Sequence, residues 1–516
     1  MKFLQKTNSL RKNIVSNFAG QGWSFLVGMV AVPFYIRFIG VEGYGLVGFY
    51  GALRAVLNSF LDFGLTATIN REVARYTASP TKIVQTRDLV RTLEIAYWCI
   101  GLVLGLIIYL SAPLISTYWI RSEIIPVSTI ENIITIMGII TFIQWPLTLY
   151  QGGLIGLQKI VLLNGINVTV ATLRGVGGIL AVWLFPSPLI AFFIWQIILS
   201  LIQLSLTTYY LWQNLPPGIQ TPRFRTSIIA EIWRFALGMS GTSVFSFFLT
   251  QTDKVLLSKI LTLENFGYYS LAVTLNDQLQ LVNPQITQPL FPRFSTLVLT
   301  DDRGELRELY HKASQLVAVV ILPVAGTAAF FSRELIYLWT QDKQIASVVA
   351  PIATFLFAGT ALLNLTDIPL NLTVAYGWVK LIFYRSFGLS VLFVPLVVVL
   401  SLRYAGVGAA LAWFLIYLVQ LLVLPWFIHR KILYGELKHW YIHDVGLPVI
   451  LTLVILSLAR WLMPLNLSFL QYVIVIGVIV LTNFGVLALS AKEVRTWGLE
   501  LLGKVFAKSG GDSLNF

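Results

Sequence analysis

Runs of 18 or more predominantly apolar residues recur along this chain from one end to the other, each long enough to cross a hydrocarbon core of roughly 30 Å. No soluble fold hides that much apolar length. Composition agrees: 57% of the 516 residues are hydrophobic and 11% charged, against roughly 25% charged in an average soluble domain. The chain reads as an all-α, multi-pass integral membrane protein.

Met1–Asn13 carries Lys2, Lys6, Arg11 and Lys12 ahead of an apolar stretch, as a signal peptide does. That stretch runs from about Ile14 to Phe38, too long for a signal core and without a small-residue cleavage site, so it reads as a retained first span. Cys99 is the single cysteine and lies within an apolar run, which makes it a structural thiol with neither disulfide nor metal cluster.

Hydropathy and helix breakers predict fourteen spans, near 14–38, 44–66, 89–111, 127–150, 161–185, 189–212, 233–258, 266–290, 313–332, 345–375, 380–402, 406–428, 445–463 and 469–489. An even number puts both termini on one side. With the termini inside, 25 of the 36 basic residues fall in inner segments and 7 in outer ones. Arg54, Arg174, Lys254 and Arg385 fall within spans. This asymmetry predicts cytoplasmic termini. It also accounts for the net charge of +13 without nucleic acid, because the charges are scattered over short loops facing anionic lipid.

The first six spans and the next six resemble each other. Arg37-Phe-Ile-Gly-Val-Glu-Gly-Tyr-Gly45 aligns, 222 residues on, with Lys259-Ile-Leu-Thr-Leu-Glu-Asn-Phe-Gly267, and Arg71 falls on Arg293 at the same offset. Pro146-Leu-Thr-Leu149 matches Pro369-Leu-Asn-Leu372, and Gly156-Leu-Gln-Lys159 matches Gly377-Trp-Val-Lys380. Two six-helix lobes follow, 1–215 and 216–432, with a further hairpin and tail at 433–516. Even-numbered repeats have parallel topology, with an axis along the membrane normal and a substrate path between them.

Charged residues inside spans are expensive, roughly 2.5–3.5 kcal/mol at the helix centre on insertion scales, so they face a cavity or a partner. Arg54, Arg174 and Asp277 sit nearest the middle of their spans; Asp62, Asp253, Lys254, Asp367 and Arg385 lie closer to the ends. Arginine forks suit an anionic, diphosphate-bearing cargo. Trp23, Gln144, Trp145, Tyr150, Gln151, Asn167 and Asn276 are candidates to line a hydrated chamber for sugars. Against this stand plainer roles: Arg54 paired with Asp277, Asp253, Lys254 and Arg385 snorkelling to headgroups, and the aromatics as packing or interfacial belt. The run Asp301–Glu308 reads as a solvated linker, and His311, His429, His439 and His443 as inner-loop residues without ligand spacing.

The segments Phe38-Ile-Gly-Val-Glu-Gly-Tyr-Gly45, Asp62-Phe-Gly-Leu65 with Arg71, Asp253-Lys254 and Phe266-Gly-Tyr-Tyr-Ser-Leu-Ala272 carry a resemblance. Over about residues 10–430 the chain resembles the oligosaccharide flippases, O-antigen repeat-unit flippases among them, of the multidrug/oligosaccharidyl-lipid/polysaccharide exporter superfamily. The resemblance implies a V-shaped, two-lobe transporter of the bacterial inner membrane working by alternating access. It would flip undecaprenyl-diphosphate-linked repeat units from the cytoplasmic to the outer leaflet. The implied partners are the lipid-linked oligosaccharide, membrane lipids, and a polysaccharide polymerase with other assembly proteins. No cofactor is implied; a proton or sodium gradient is the expected driving force. Two rivals share the superfamily, a drug/cation antiporter and a lipid II flippase. The antiporter would favour acidic residues in the cavity. A membrane glycosyltransferase is disfavoured because the longest outer loop, about Ala112 to Pro126, holds only Glu123 as an acidic group.

Overall fold

The computed structural model describes residues 2–61, 65–78, 85–217, 221–464 and 467–496, with side chains left aside at 2–15, 18, 59–61, 65–68 and 231–247. The described chain is almost entirely helical and divides into two compact units, Met1–Gly267 and Tyr268–Phe516. Among the described residues, ten helices are long and apolar enough to cross a membrane.

The first unit contains α1 (Lys2–Leu61), α2 (Leu65–Ala78), α3 (Thr86–Leu114), α4 (Val127–Gly156), α5 (Ile160–Thr172), α6 (Gly178–Leu184), α7 (Pro188–Asn214) and α8 (Thr226–Ile260), with the start of α9 (Leu263–Leu279). Two predicted spans share α1, and the chain turns between them at Gly40, with φ 74 and ψ 169. That backbone conformation is open to glycine and costly for any other residue. A core of Val73, Val90, Tyr97, Leu149, Tyr150, Leu154 and Leu211 is buried where α2, α3, α4 and α7 meet. Leu102, Val103, Leu106, Ile107 and Leu110 of α3 point outward, as lipid-facing side chains must. Cys99 is exposed on α3 as well.

The repeated Gly-Val-Glu-Gly-Tyr-Gly motif has a physical explanation here. Buried Glu42 accepts the backbone N–H groups of Glu123 (2.7 Å) and Ile124 (3.1 Å), satisfying both donors of that loop. Gly45 lies so close to the chain at Leu263 that a Cβ would stand 2.3 Å from the Leu263 carbonyl. Gly267 meets the Val41 carbonyl at the same 2.3 Å. These contacts are reciprocal at the 222-residue offset. Arg121 and Thr262 add a parallel β-bridge, with the Leu263 N–H donating to the Arg121 carbonyl at 2.7 Å.

The second unit continues through α10 (Asn283–Thr300), α11 (Arg303–Phe330), α12 (Ser332–Thr340), α13 (Lys343–Leu365), α14 (Asp367–Ala375), α15 (Val379–Lys431), α16 (Leu437–His439), α17 (Leu447–Leu462) and α18 (Phe469–Ser490). α15 also carries two predicted spans, turning at Tyr404 and at Ala405, whose φ is 51. Its core gathers Phe294, Tyr310, Val317, Ala318, Ile368, Leu372 and Trp440.

Several boundaries differ from expectation. The 266–290 span is broken at 280–282, where α9 gives way to α10, and 345–375 is broken at Thr366 between α13 and α14. The supposed linker at Asp301–Glu308 is mostly helix. Asp302 caps α11 by accepting the Glu305 N–H at 3.0 Å, and Arg293 pairs with Glu305, so the charged run forms the first turns of the span. The loop between α3 and α4 is shorter than predicted, because α3 reaches Leu114 and a π-helical turn follows at Ile115–Trp119.

Candidate functional site

In the first unit the second limb of α1 places Tyr50 and Arg54 one turn apart, so their side chains meet. The Arg54 guanidinium lies 5.8 Å from the Tyr50 ring centre, a cation–π contact. Tyr50 is buried against Phe193, and its hydroxyl donates to Gln144 Oε1 at 3.4 Å, while Gln144 Nε2 donates to Ser200 at 2.8 Å. Arg174 enters from Leu173–Gly177, a π-helical turn between α5 and α6, a deviation frequent at functional sites.

Glycines set the position of that turn. A Cβ on Gly177 would stand 2.2 Å from the Trp195 ring, and one on Gly178 2.4 Å from the Tyr35 hydroxyl. Tyr35 donates to the Arg174 carbonyl at 2.7 Å, and Trp195 to the Leu173 carbonyl at 3.0 Å. Small residues here let helix backbones approach closely, and the two ring donors then fix the turn.

Arg54 and Arg174 are near enough to repel each other, with Tyr35 and Tyr50 beside them. Within this unit neither guanidinium has a described carboxylate at ion-pair distance, and Arg174 Nε is buried without a hydrogen-bond partner. Arg54 is exposed. Two adjacent cations with an unsatisfied donor form an environment that an anion would relieve.

The other chamber candidates divide. Trp23 is exposed and donates to Thr172 at 2.8 Å; half-buried Asn167 accepts from Gln203 at 3.2 Å; Gln151 is half-buried. Trp145 and Tyr150 are buried in the core, where Tyr150 donates to buried Glu94 at 2.6 Å and Trp98 donates to Tyr150 at 3.3 Å. Their packing leaves no ring face for a cargo. Asp253 is buried and Lys254 half-buried near the C-terminal end of α8, and Asp62 lies outside the described residues.

In the second unit Asn283 donates to Asp367. Arg385 donates to Gln420 Oε1 from Nε (3.0 Å) and Nη2 (2.6 Å), and Gln420 passes its own N–H to Thr366. This brings Arg385 toward Asp367, near enough for their charges to interact. Arg385 and Gln420 line a cleft of about 580 Å³ with Trp378, Lys380, Tyr384 and Phe427. Asp277 is exposed on α9, beside buried Asn276, which accepts from Thr360 at 2.7 Å.

The sequence reading missed a third cluster. His311 on α11 bonds Asp444 Oδ2 through Nδ1 (2.5 Å) and Glu436 Oε2 through Nε2 (3.1 Å). His439 packs edge-on against it with ring centres 4.6 Å apart, and His443 lies 4.7 Å from His439. His429 accepts from Tyr310 at 3.1 Å while its Nδ1–H donates to the Pro425 carbonyl at 2.7 Å. The histidines are therefore on helices and packed together, not scattered through loops. The local signal was the four-residue spacing of His439 and His443 with Asp444 adjoining.

The sequence profile of a family described as "Polysaccharide biosynthesis protein" matches residues 10–298. A Shigella flexneri protein named "Putative O-antigen transporter" is 23% identical over 427 residues, covering 82% of this chain and 98% of that protein. Among solved structures, a lipid II flippase MurJ in an inward closed conformation superposes with a TM-score of 0.72 at 15% identity, over 92% of this chain and 98% of that one. An inward-facing multidrug resistance transporter of the MATE family, of the MOP superfamily, gives 0.59 at 14% identity, over 81% and 96%.

Proposed function

The chain belongs to the polysaccharide biosynthesis protein family, and from that premise we propose that it moves a lipid-linked oligosaccharide, an undecaprenyl-diphosphate-linked repeat unit, from the inner to the outer leaflet. The observation that carries the proposal is the Arg54–Arg174 pair, which offers an anionic group two guanidiniums from two apolar spans, one with a buried unsatisfied N–H. Bidentate guanidinium–phosphate bonding matches such a cargo in charge and geometry. The O-antigen transporter relative supports the same cargo class. The role is transport, not catalysis.

In this reading the diphosphate sits between Arg54 and Arg174, and the sugars meet polar groups such as Gln144, Asn167 and Trp23. The isoprenoid tail stays in lipid. Asp277, Asp62, Asp253, Lys254 and Asp367 are retained as further candidates for cargo or coupling-ion contact. Lobes at 1–215 and 216–432 rock in alternating access, with 433–516 appended. The reciprocal Gly45 and Gly267 contacts support the duplication behind that division. The protein resides in the bacterial inner membrane with both termini cytoplasmic and works beside a polymerase and other assembly proteins.

The test is deletion of the gene followed by analysis of the lipid-linked intermediates in the cytoplasmic leaflet. Accumulation of an undecaprenyl-diphosphate-linked repeat unit, with loss of surface polysaccharide, is expected. Accumulation of lipid II instead would move the assignment to the second flippase class. Unchanged lipid intermediates with altered drug sensitivity would move it to the antiporters.

A further inference from the structure

The geometry points to a divalent transition-metal site, of the zinc class, formed by His311, His439 and Asp444 where α11 meets the segment leading into α17. One ligand atom from each of the three already lies within 4.8 Å of the others. Ligands around a tetrahedral zinc, at bonds of roughly 2.0–2.2 Å, stand about 3.3–3.5 Å apart. Side-chain rotation closes that difference without moving a helix.

The surroundings are those a metal site requires. His311 Nδ1 and Asp444 Oδ2 face each other at 2.5 Å, so a cation entering there takes the place of the proton between them, which leaves for solvent. The far nitrogen of His311 stays protonated and donates to Glu436 at 3.1 Å, and Arg307 holds Glu436 at 2.8 Å. A histidine ligand whose other N–H is held by a carboxylate is the usual outer-shell arrangement at zinc. Asp444 is likewise aimed: its second oxygen accepts from Gln315 at 2.9 Å, and Gln315 in turn accepts the Glu493 N–H at 3.0 Å.

Local structure explains how the donors converge. The segment Trp440–Gly446 is a π-helical turn, and Trp440 anchors it by donating to Ser314 at 3.2 Å. His311 and Asp444 are buried while His439 is exposed, giving a fixed inner pair and an outer ligand beside the entry path. His443, one turn from His439, or a water closes the fourth position. The metal would tie α11 to the α17–α18 hairpin, two elements joined here by a hydrogen-bonded polar cluster.

The experiment uses the full chain purified in detergent with a tag free of histidine. Zinc is titrated against a chromophoric chelator, and Co²⁺ serves as a spectroscopic substitute. Expected are one equivalent bound, Co²⁺ visible bands of four-coordinate N/O type, and a metal-dependent rise in Tm. His439→Ala, at an exposed position, should leave the metal-free Tm unchanged and abolish both the bands and the rise. Asp444→Asn should weaken binding at least tenfold, and Glu436→Gln ten- to a hundredfold. Absence of saturable binding overturns the proposal. So does binding that survives His311→Gln and Asp444→Asn, which would reduce it to surface chelation by His439 and His443.

Discussion

Arg174 shows how much an individual residue of this site betrays in sequence. A guanidinium within an apolar run is conspicuous because its insertion is costly, and Arg54 and Arg174 were both found that way. Their convergence was not legible. They are separated by 120 positions, and what joins them is the glycine-lined π turn at Leu173–Gly177 with the Tyr35 hydroxyl beneath it. If the pair holds a diphosphate, Arg54→Ala or Arg174→Ala removes a charge-assisted bond worth on the order of 1.5–3 kcal/mol, so polysaccharide export at matched membrane abundance should fall roughly ten- to a hundredfold. Arg→Lys keeps the charge without the fork and should fall in between. The alternative raised by the sequence, an Arg54–Asp277 pair, predicts recovery in Arg54→Ala/Asp277→Ala, because removing both charges leaves neither unpaired within a span. Continued loss in the double variant, with each protein present at normal level, keeps Arg54 at the cargo. The histidine cluster was hidden for the same reason as the arginine pair: His311 stands 133 positions before Asp444, and sequence spacing reports only neighbours on one helix.

At the scale of elements, apolar windows located the spans well and their ends poorly. The reason is visible at α11. A charged run reads as loop by composition, yet Asp302 satisfies an orphan N–H at the helix start and Glu305 meets Arg293, so the helix begins in the charges. Asp302→Ala should therefore destabilise the protein by about 1 kcal/mol, read as a lower Tm in detergent. Kinks were legible only where glycine marked them. Gly40 takes φ 74 as glycine does freely, but Ala405 holds φ 51 without that freedom. The two sites make opposite predictions. Gly40→Ala should lower Tm, and Ala405→Gly should raise it, each by the equivalent of about 1 kcal/mol or more, since a non-glycine residue at such angles is strained.

For the whole molecule, the sequence supports orientation by a statistical argument, while each unit's structure supports packing by contacts. The two are independent and meet in the loops. With the termini inside, Ser227 at the start of α8 lies in an inner segment rich in Arg223 and Arg225, and Glu123 in an outer one. Both positions are exposed, so a cysteine at either is accessible to reagent on its own side of the membrane. Cys99 is exposed on an apolar helix and must first be replaced by alanine. In intact cells, Glu123→Cys should then label with a membrane-impermeant maleimide, and Ser227→Cys should label only after permeabilisation. The reverse pattern inverts the orientation, and with it the direction in which cargo enters. That outcome would be informative beyond topology, because basic residues sort to the cytoplasmic side through a bias that acts on short loops during insertion. The segment between α7 and α8 is such a loop. Its Arg225 is already committed to Asp88 at 2.7 Å, and the Arg223 N–H donates to the same carboxylate at 2.8 Å. This carboxylate ties the start of α3 to the start of α8. Asp88→Asn in the labelling background should leave the topology intact, as carboxylates contribute little to sorting, but expose Ser227→Cys to faster modification once cells are opened. Unchanged modification kinetics would show that the ion pair does not order this loop.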